Sequence, residues 1–429
     1  MHVDRLRIHR ALVVLVAGLI LSVGVSTAPA DRRVQAAVPS SPRATESSPA
    51  AMPTPTRTPS PKPSARATPK SSPRATPKSS PRTTASRPAS ATLVMNGDLL
   101  WHNTLWYGAR EDARRRGRSG FDFGPVLAGI RPVVASADVA ICHQEPPLAA
   151  AGGPFYNFPR FSVPPQVVQA ITDTGYDVCT TASNHSVDHG FAGLKRTLDA
   201  FDRAGILHNG TARTAAEARR PTIVPTRSGV RVAVISGTFS TNGIPKPAGK
   251  PWSVTGLDPR DLLARARQAR AAGADLVVVA AHVGTEFSSQ VNNQQRALAR
   301  TLTASPDVDL LYMHHTHVVQ PWTRMNGKWV IYGLGNTVAQ HESNIAQGAE
   351  GVTARLRFER GRDGRFTVTR AEYIPTLVTR YAPGRPARLH QVSAALPNAR
   401  GAFRQRLLQA ERRTTAVVTR YHPKGLHRG

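Results

Sequence analysis

Residues 176–205 read "YDVCTTASNHSVDHGFAGLKRTLDAFDRAG", and two structural patterns meet there around a polar turn. "YDVCTTASN" is an apolar, β-branched run of the kind that forms a buried strand. "HGFAGLKRTLDAFDRAG" places Phe191, Leu194, Leu198 and Phe201 on one helical face and stops at Gly205. Between them stand Asn184, His185 and Asp188. A strand that hands over to a helix packed back on the sheet is the unit of a layered α/β fold. In such folds the polar residues just past strand ends project into a shared crevice. Asp188 is expected to cap the helix that follows and to orient the loop. That role leaves Asn184 and His185 unexplained.

The same alternation extends in both directions. Upstream, "TLVMNGD" (92–98) and "ADVAICHQE" (137–145) read as buried strands, and "PPQVVQAITDTG" (164–175) as a helix. Downstream, residues 221–239 read as a hairpin turning at Ser228-Gly229. Asp258 caps a further helix, with Pro259 at its first position, and "ADLVVVAAHVG" (274–284) is the most strand-like run in the chain. A helix over 294–305 leads to the buried strand "VDLLYMHH" (308–315). Two hairpins follow, turning at Asn326-Gly327 and Asp363-Gly364. The fold class expected over 92–385 is α/β, a layered sandwich with mixed sheets flanked by helices. Residues 386–429 read as a basic tail with one short helix near Phe403–Arg413.

The first quarter of the chain is not core material. Residues 1–30 carry Arg5, Arg7 and Arg10, then the apolar run Ala11–Ser26 and the small-residue pattern "APA" at Ala28–Ala30. This reads as a secretory signal peptide, with an uncleaved membrane anchor as the alternative; no Cys follows to take a lipid. Residues 31–91 are rich in Pro, Ser, Thr, Lys and Arg, and repeat "ATPKSSPR" at 67–74 and 75–82. A segment so poor in apolar groups reads as an extended tether. Both parts of the chain are basic, with 14 Lys/Arg against 3 Asp/Glu through residue 92 and 42 against 24 beyond it. In an exported protein this favours an anionic cell-envelope polymer or a phosphate-containing substrate, with membrane or wall contact through the tether. No nucleic-acid motif is present, so no nucleic-acid partner is expected. Cys142 and Cys179 lie in two expected strands, and the sequence leaves open whether they pair or are two buried thiols.

Five strand ends carry candidate ligands: Asp98, Glu145, Asn184 with His185, His282 with Glu286, and the "HHTH" of His314, His315 and His317. Mixed carboxylate, amide and imidazole donors suit divalent Mn, Zn or Fe. On an extended segment His315 and His317 point the same way and His314 the other, which makes His314 the less favoured ligand.

The order "GD…E-x-P-L…SNH-x-x-D-x-G…H-x-G-x-E…H-x-H…Y-x-L-G-N", from about Leu93 to Asn336, resembles the CapA or PgsA family of capsule and poly-γ-glutamate synthesis proteins. The domain of that family is similar to calcineurin-like metallophosphoesterases. The resemblance implies two divalent metals held by Asp98, Glu145, Asn184, His282, His315 and His317, and a leaving-group role for His185. It implies either a metal-dependent hydrolase of phosphoester or related bonds, or a non-catalytic accessory protein for an anionic polymer such as poly-γ-glutamate. This chain departs from the family at His143-Gln144, where Asn-Leu is usual, and at Met313, where Gly is usual. The Asp-x-His opening of metallophosphoesterases is also absent; His102 stands four residues after Asp98 and is open to a ligand, helix-start or surface role.

Overall fold

The computed structural model describes residues 89–342 and 344–429. The expected signal peptide, and all of the tether up to residue 88, lie outside the described residues. The strands run in chain order as β1 (Ser90–Leu99), β2 (Val139–Gln144), β3 (Val178–Thr180), β4 (Leu207–Asn209), β5 (Thr222–Pro225), β6 (Arg231–Thr238), β7 (Leu276–His282) and β8 (Leu310–His314). They continue as β9 (Trp322–Met325), β10 (Lys328–Ile331), β11 (Asn336–Val338), β12 (Glu350–Arg360), β13 (Phe366–Val378), β14 (Leu389–Gln391) and β15 (Leu426–Arg428). One mixed sheet has the order β14-β13-β12-β1-β2-β3-β4, with β11 beside β1 and β15 beside β13; the second has the order β5-β6-β7-β8-β10-β9.

Alternation along the strands decides the layering. Leu93, Met95, Val139, Ile141 and Val178 of the first sheet meet Val232, Val234, Val278, Leu310 and Ile331 of the second in one core. Their neighbours Val94, Ala140 and Cys142 face outward onto helices Asn103–Arg115 and Val167–Thr174. Val277, Val279 and Leu311 face outward onto helices Pro259–Ala271 and Asn293–Ala304. The result is the expected sandwich of two mixed sheets flanked by helices. Burying each such aliphatic side chain stabilises by about 1.5–3 kcal/mol before conformational entropy is subtracted.

Several expectations are corrected. Strand β1 starts at Ser90, two residues inside the segment assigned to the tether, because Ser90 and Ala91 pair with Glu359 and Phe358. Helix Asn103–Arg115, which the sequence raised only as a helix-start role for His102, has its apolar residues diluted by arginines. The supposed tail is part of the sheet: β14 and β15 both pair with β13, and the helix runs from Gly401 to Val418. That helix buries Leu407 and Ala410 against Leu377, and its Arg406 and Arg413 clasp the buried Glu350. Cys142 and Cys179 are register partners on adjacent parallel strands and form a disulfide.

A bulge in β1 points its last residues inward. Met95 pairs with Ile141 but Asp98 pairs with His143, so the Asn96-Gly97 pair adds a residue to β1. A Cβ on Gly97 would stand 1.9 Å from the Gly335 carbonyl oxygen, so only glycine fits this crossing.

Candidate metal centre

The carboxyl ends of β1, β2, β3, β7 and β8 meet at one end of the sandwich, and there the polar residues gather. Asp98 closes β1 and is 1% exposed. Its Oδ1 lies 2.7 Å from His314 Nδ1 and its Oδ2 lies 3.1 Å from His317 Nδ1. Burial alone would raise the Asp98 carboxyl, but the hydrogen bonds and charge of His314 and His317 outweigh it and hold the group well below its ordinary value. Two ligand sets converge, Asp98 with His143 and His282, and Asp98 with Glu145 and His317. In each set the donor atoms lie within 4.8 Å of one another, and Asp98 belongs to both.

The hydrogen-bond partners of the buried ligand candidates test whether a cation fits. Thr180 Oγ1 lies 2.8 Å from His143 Nδ1 and 3.2 Å from the Cys142 carbonyl oxygen. His143 Nε2 in turn lies 3.0 Å from His282 Nδ1. Burial and neighbouring imidazoles push both rings far below ordinary histidine, in keeping with two neutral rings. His282 Nε2 completes the chain, 2.8 Å from Asn184 Oδ1. The Asn184 amide nitrogen is engaged elsewhere, donating to Asn242 Oδ1. Both oxygens of the fully buried Glu145 lack any hydrogen-bond donor. Buried acceptors converging without donors are costly unless a cation lies between them. The donor set fits a divalent metal.

The remaining electrostatics agree. Burial pushes the Glu145 carboxyl well above its ordinary value, with Asp98 and Glu286 adding to it and His317 opposing. Burial would lower His317, but Glu145 and Asp98 hold it up at about 9. A dication would take the place of that retained proton.

The predicted residues do not all behave as expected. His315 and His317 do not lie on an extended segment; both adopt left-handed backbone, with φ of 86° and 55°. His315 therefore turns aside, its ring 4.9 Å from His282 and its Nδ1 3.9 Å from exposed Glu286, while His317 reaches Asp98. His314 does not point away: it bonds Asp98 and stacks 4.0 Å from His143, although it joins neither ligand set. Asp188 caps no helix, since His189 holds the cap position of Gly190–Ala204. Its Oδ2 accepts instead from Phe161 N and from His185 Nδ1, both at 2.7 Å, because the turn folds Asp188 back over its own loop. His185 Nε2 is left without a protein partner among the described residues. His102 is buried at the start of helix Asn103–Arg115, and its Nδ1 accepts from Gln340 N.

Three contributors were missed. His143 was read only as a departure from a pattern. Asn336 bonds His317 Nδ1 at 3.0 Å and donates to the carbonyl oxygens of His317 and Gly348. His341 lies 5.0 Å from the His317 ring. The signal for Asn336 was its place at the end of the order "Y-x-L-G-N".

Comparison with known proteins shows the family. A family model described as bacterial capsule synthesis protein PGA_cap matches residues 92–341, more than half of the chain. The chain belongs to this family. The matched PGA_cap segment carries every residue of both ligand sets. The chain is 29% identical over 203 residues to the "PGA biosynthesis protein CapA" of Bacillus subtilis, which covers 47% of this chain and 52% of that protein. It is 27% identical over 255 residues to the "Capsule biosynthesis protein CapA" of Bacillus anthracis, covering 58% and 59%. It is 27% identical over 217 residues to a "Probable polyglutamine synthesis accessory protein" of Mycobacterium tuberculosis, covering 48% and 57%. This PGA_cap chain thus spans between half and three fifths of the length of the curated relatives it matches. Among solved structures, the calcineurin-like phosphoesterase YfkN of Bacillus subtilis superposes with a TM-score of 0.39 at 13% identity, over 78% of this chain and 99% of that one. A superposition that loose carries no chemistry across.

Proposed function

We propose that this PGA_cap chain is an exported, metal-dependent hydrolase of phosphoester or related bonds, acting on capsule or cell-envelope polymer. The observation that carries the reading is the fully buried Glu145 carboxylate, both of its oxygens without a hydrogen-bond partner, in a ligand set with Asp98 and His317 that shares Asp98 with a second set. Asp98, Glu145, Asn184, His143, His282 and His317 would hold two divalent metals, with His315 beside them. Such metals supply Lewis-acid stabilisation and an activated water for attack on phosphorus.

The residues of the chain supply the rest. Asp188 accepts the Nδ1 proton of His185 and fixes the ring, so Nε2 is placed to hold a proton and release it to the leaving-group oxygen. The Phe161 ring, edge-on at 4.9 Å, shields the other side of His185 from water. Asn336 holds His317 through its Nδ1, which leaves Nε2 facing Glu145 at 3.9 Å. Export is supported by the signal-peptide pattern and by the Cys142–Cys179 pair, since such bridges persist in oxidising compartments. An anionic polymer partner is supported by the basic charge of the chain.

The accessory-protein alternative differs at one residue, because a binder needs ligands but no poised proton donor. Protein loaded with Mn²⁺ or Zn²⁺ should retain roughly two equivalents and hydrolyse a phosphomonoester or phosphodiester, with His185→Ala lowering the rate by about 10²-fold or more. Protein that holds no metal after loading would overturn the reading. Metal retention with wild type and His185→Ala equally active, or equally inactive, would favour the accessory role.

A further inference from the structure

Three phenylalanines from three separate loops surround the centre with their rings open to solvent. Phe158 is 70% exposed, and Phe239 and Phe287 are each 40% exposed. Each lies within one ring contact of the crevice. Phe239 is 4.7 Å from His315, and Phe287 is 5.8 Å from His317 and 5.0 Å from His341. Phe158 is 6.4 Å from Phe161, whose ring abuts both His185 and His102.

These positions are held by the fold. Phe239 N donates to the His282 carbonyl oxygen, and Phe287 N to the Thr316 carbonyl oxygen. The loop of Phe158 is fastened by Asn103 N donating to Asn157 Oδ1 and by Arg160 donating to the Asp188 carbonyl oxygen. Single exposed apolar residues are ordinary on protein surfaces, but three on separate pinned loops converging on one polar crevice are not.

We infer that the mouth of the centre is a subsite for a ring, and that its ligand is a phosphorylated compound carrying a sugar or heteroaromatic ring close to the phosphoryl group. The inference rests on the metal-centre reading and names the substrate class for it. A dication-binding floor selects an anion. A ligand anchored there extends outward onto the phenylalanines, which offer only faces and edges. Polar groups share the border of the crevice, with Asn242 on Asn184, Arg160 on the Asp188 carbonyl oxygen and Glu286 3.9 Å from His315, so the mouth is no apolar trough for a long acyl or prenyl chain. A linear polyanion without rings presents no face to stack, whereas an envelope polymer with ring phosphates does. A compact ring with polar substituents satisfies both the aromatic faces and the polar gaps.

The test uses the full chain carrying His185→Ala, to prevent turnover, loaded with Mn²⁺ and titrated calorimetrically with inorganic phosphate, butyl phosphate, phenyl phosphate and glucose 1-phosphate. At least one ring phosphate should bind about tenfold tighter than butyl phosphate, and which one does so distinguishes an aromatic ring from a sugar. Adding Phe158→Ala or Phe239→Ala, both at exposed positions, should remove most of that advantage while inorganic phosphate keeps its affinity within about twofold. Ring phosphates binding no better than butyl phosphate, or phenylalanine variants that weaken all four ligands alike, would overturn the subsite and leave the centre standing. If inorganic phosphate fails to bind metal-loaded protein, the reading of the centre falls and the subsite with it.

Discussion

Asp98 and Asn336 are register partners at the point where β1 exchanges its antiparallel neighbour β12 for the parallel strand β11. That pairing brings the ligand shared by both metal sets beside the residue that holds His317. It depends on two backbones passing at Gly97 and Gly335 without a side chain between them. Gly97→Ala should therefore cost about 3 kcal/mol, read from the urea midpoint, and should lower metal occupancy at the same time. An unchanged midpoint would mean that the crossing relaxes freely.

Asn336→Ala removes the bonds to His317 and to Gly348 while leaving every proposed ligand in place. Metal affinity, measured by competition with a chromophoric chelator, should fall about 10- to 100-fold, the usual penalty for losing a partner that orients a ligand.

Asp188→Asn keeps the shape of the loop but takes away the carboxylate that fixes His185. The hydrolytic rate should drop about 10²-fold with metal content unchanged. A parallel loss of metal would instead assign Asp188 to the architecture of the loop.

Glu350 is 2% exposed and is clasped by Arg406 and Arg413, whose side chains are 28–29% exposed. Glu350→Gln leaves two guanidinium groups against a neutral amide. The expected cost is about 2 kcal/mol in chemical denaturation, below the figure for a fully buried pair because water still reaches the arginines.

Arg213 gathers Asp199, Asp202 and Glu217 on the surface. Burial opposes ionisation of these carboxyls, but hydrogen bonds from Arg213, and from Lys195 to Asp199, win and lower all three. Carboxyls lowered by folding stabilise the protein above their unfolded values, and that contribution disappears as pH falls below the ordinary carboxylate range and through their folded values. Melting temperature should fall along that acid limb, and Arg213→Gln should flatten the limb. An identical acid limb in the variant would show that other carboxyls dominate.

How far the sequence disclosed this arrangement follows from the range of each signal. Continuous apolar runs such as "ADLVVVAAHVG" and the asparagine-glycine and aspartate-glycine turns are local, and they delivered the two-sheet sandwich. The gathering of Asp98, Glu145, His282 and His317 was legible because each follows a strand. Side-chain direction in "HHTH" was not, because left-handed backbone at His315 and His317 breaks the alternation on which that reading depended. Asp188 followed the commonest habit of its residue type in the reading and a tertiary contact, with Phe161, in the structure. The C-terminal strands escaped notice, and the helix near Phe403–Arg413 was read as short and unanchored, because their partner, β13, belongs to a sheet whose order cannot be read along the chain.

Each of the two ligand sets draws from both sheets: Asp98, His143 and Glu145 from the ends of one, His282 and His317 from the ends of the other. Metal bound there would act as a rivet through the open end of the sandwich. Stripping it would do more than disable chemistry. Two layers already tied there by Asp98 to His314 and His317 and by His143 to His282 would lose a further and stronger fastening, so chelation should speed amide exchange in the last residues of β1, β2, β7 and β8 before it touches the distant hairpin of β12 and β13.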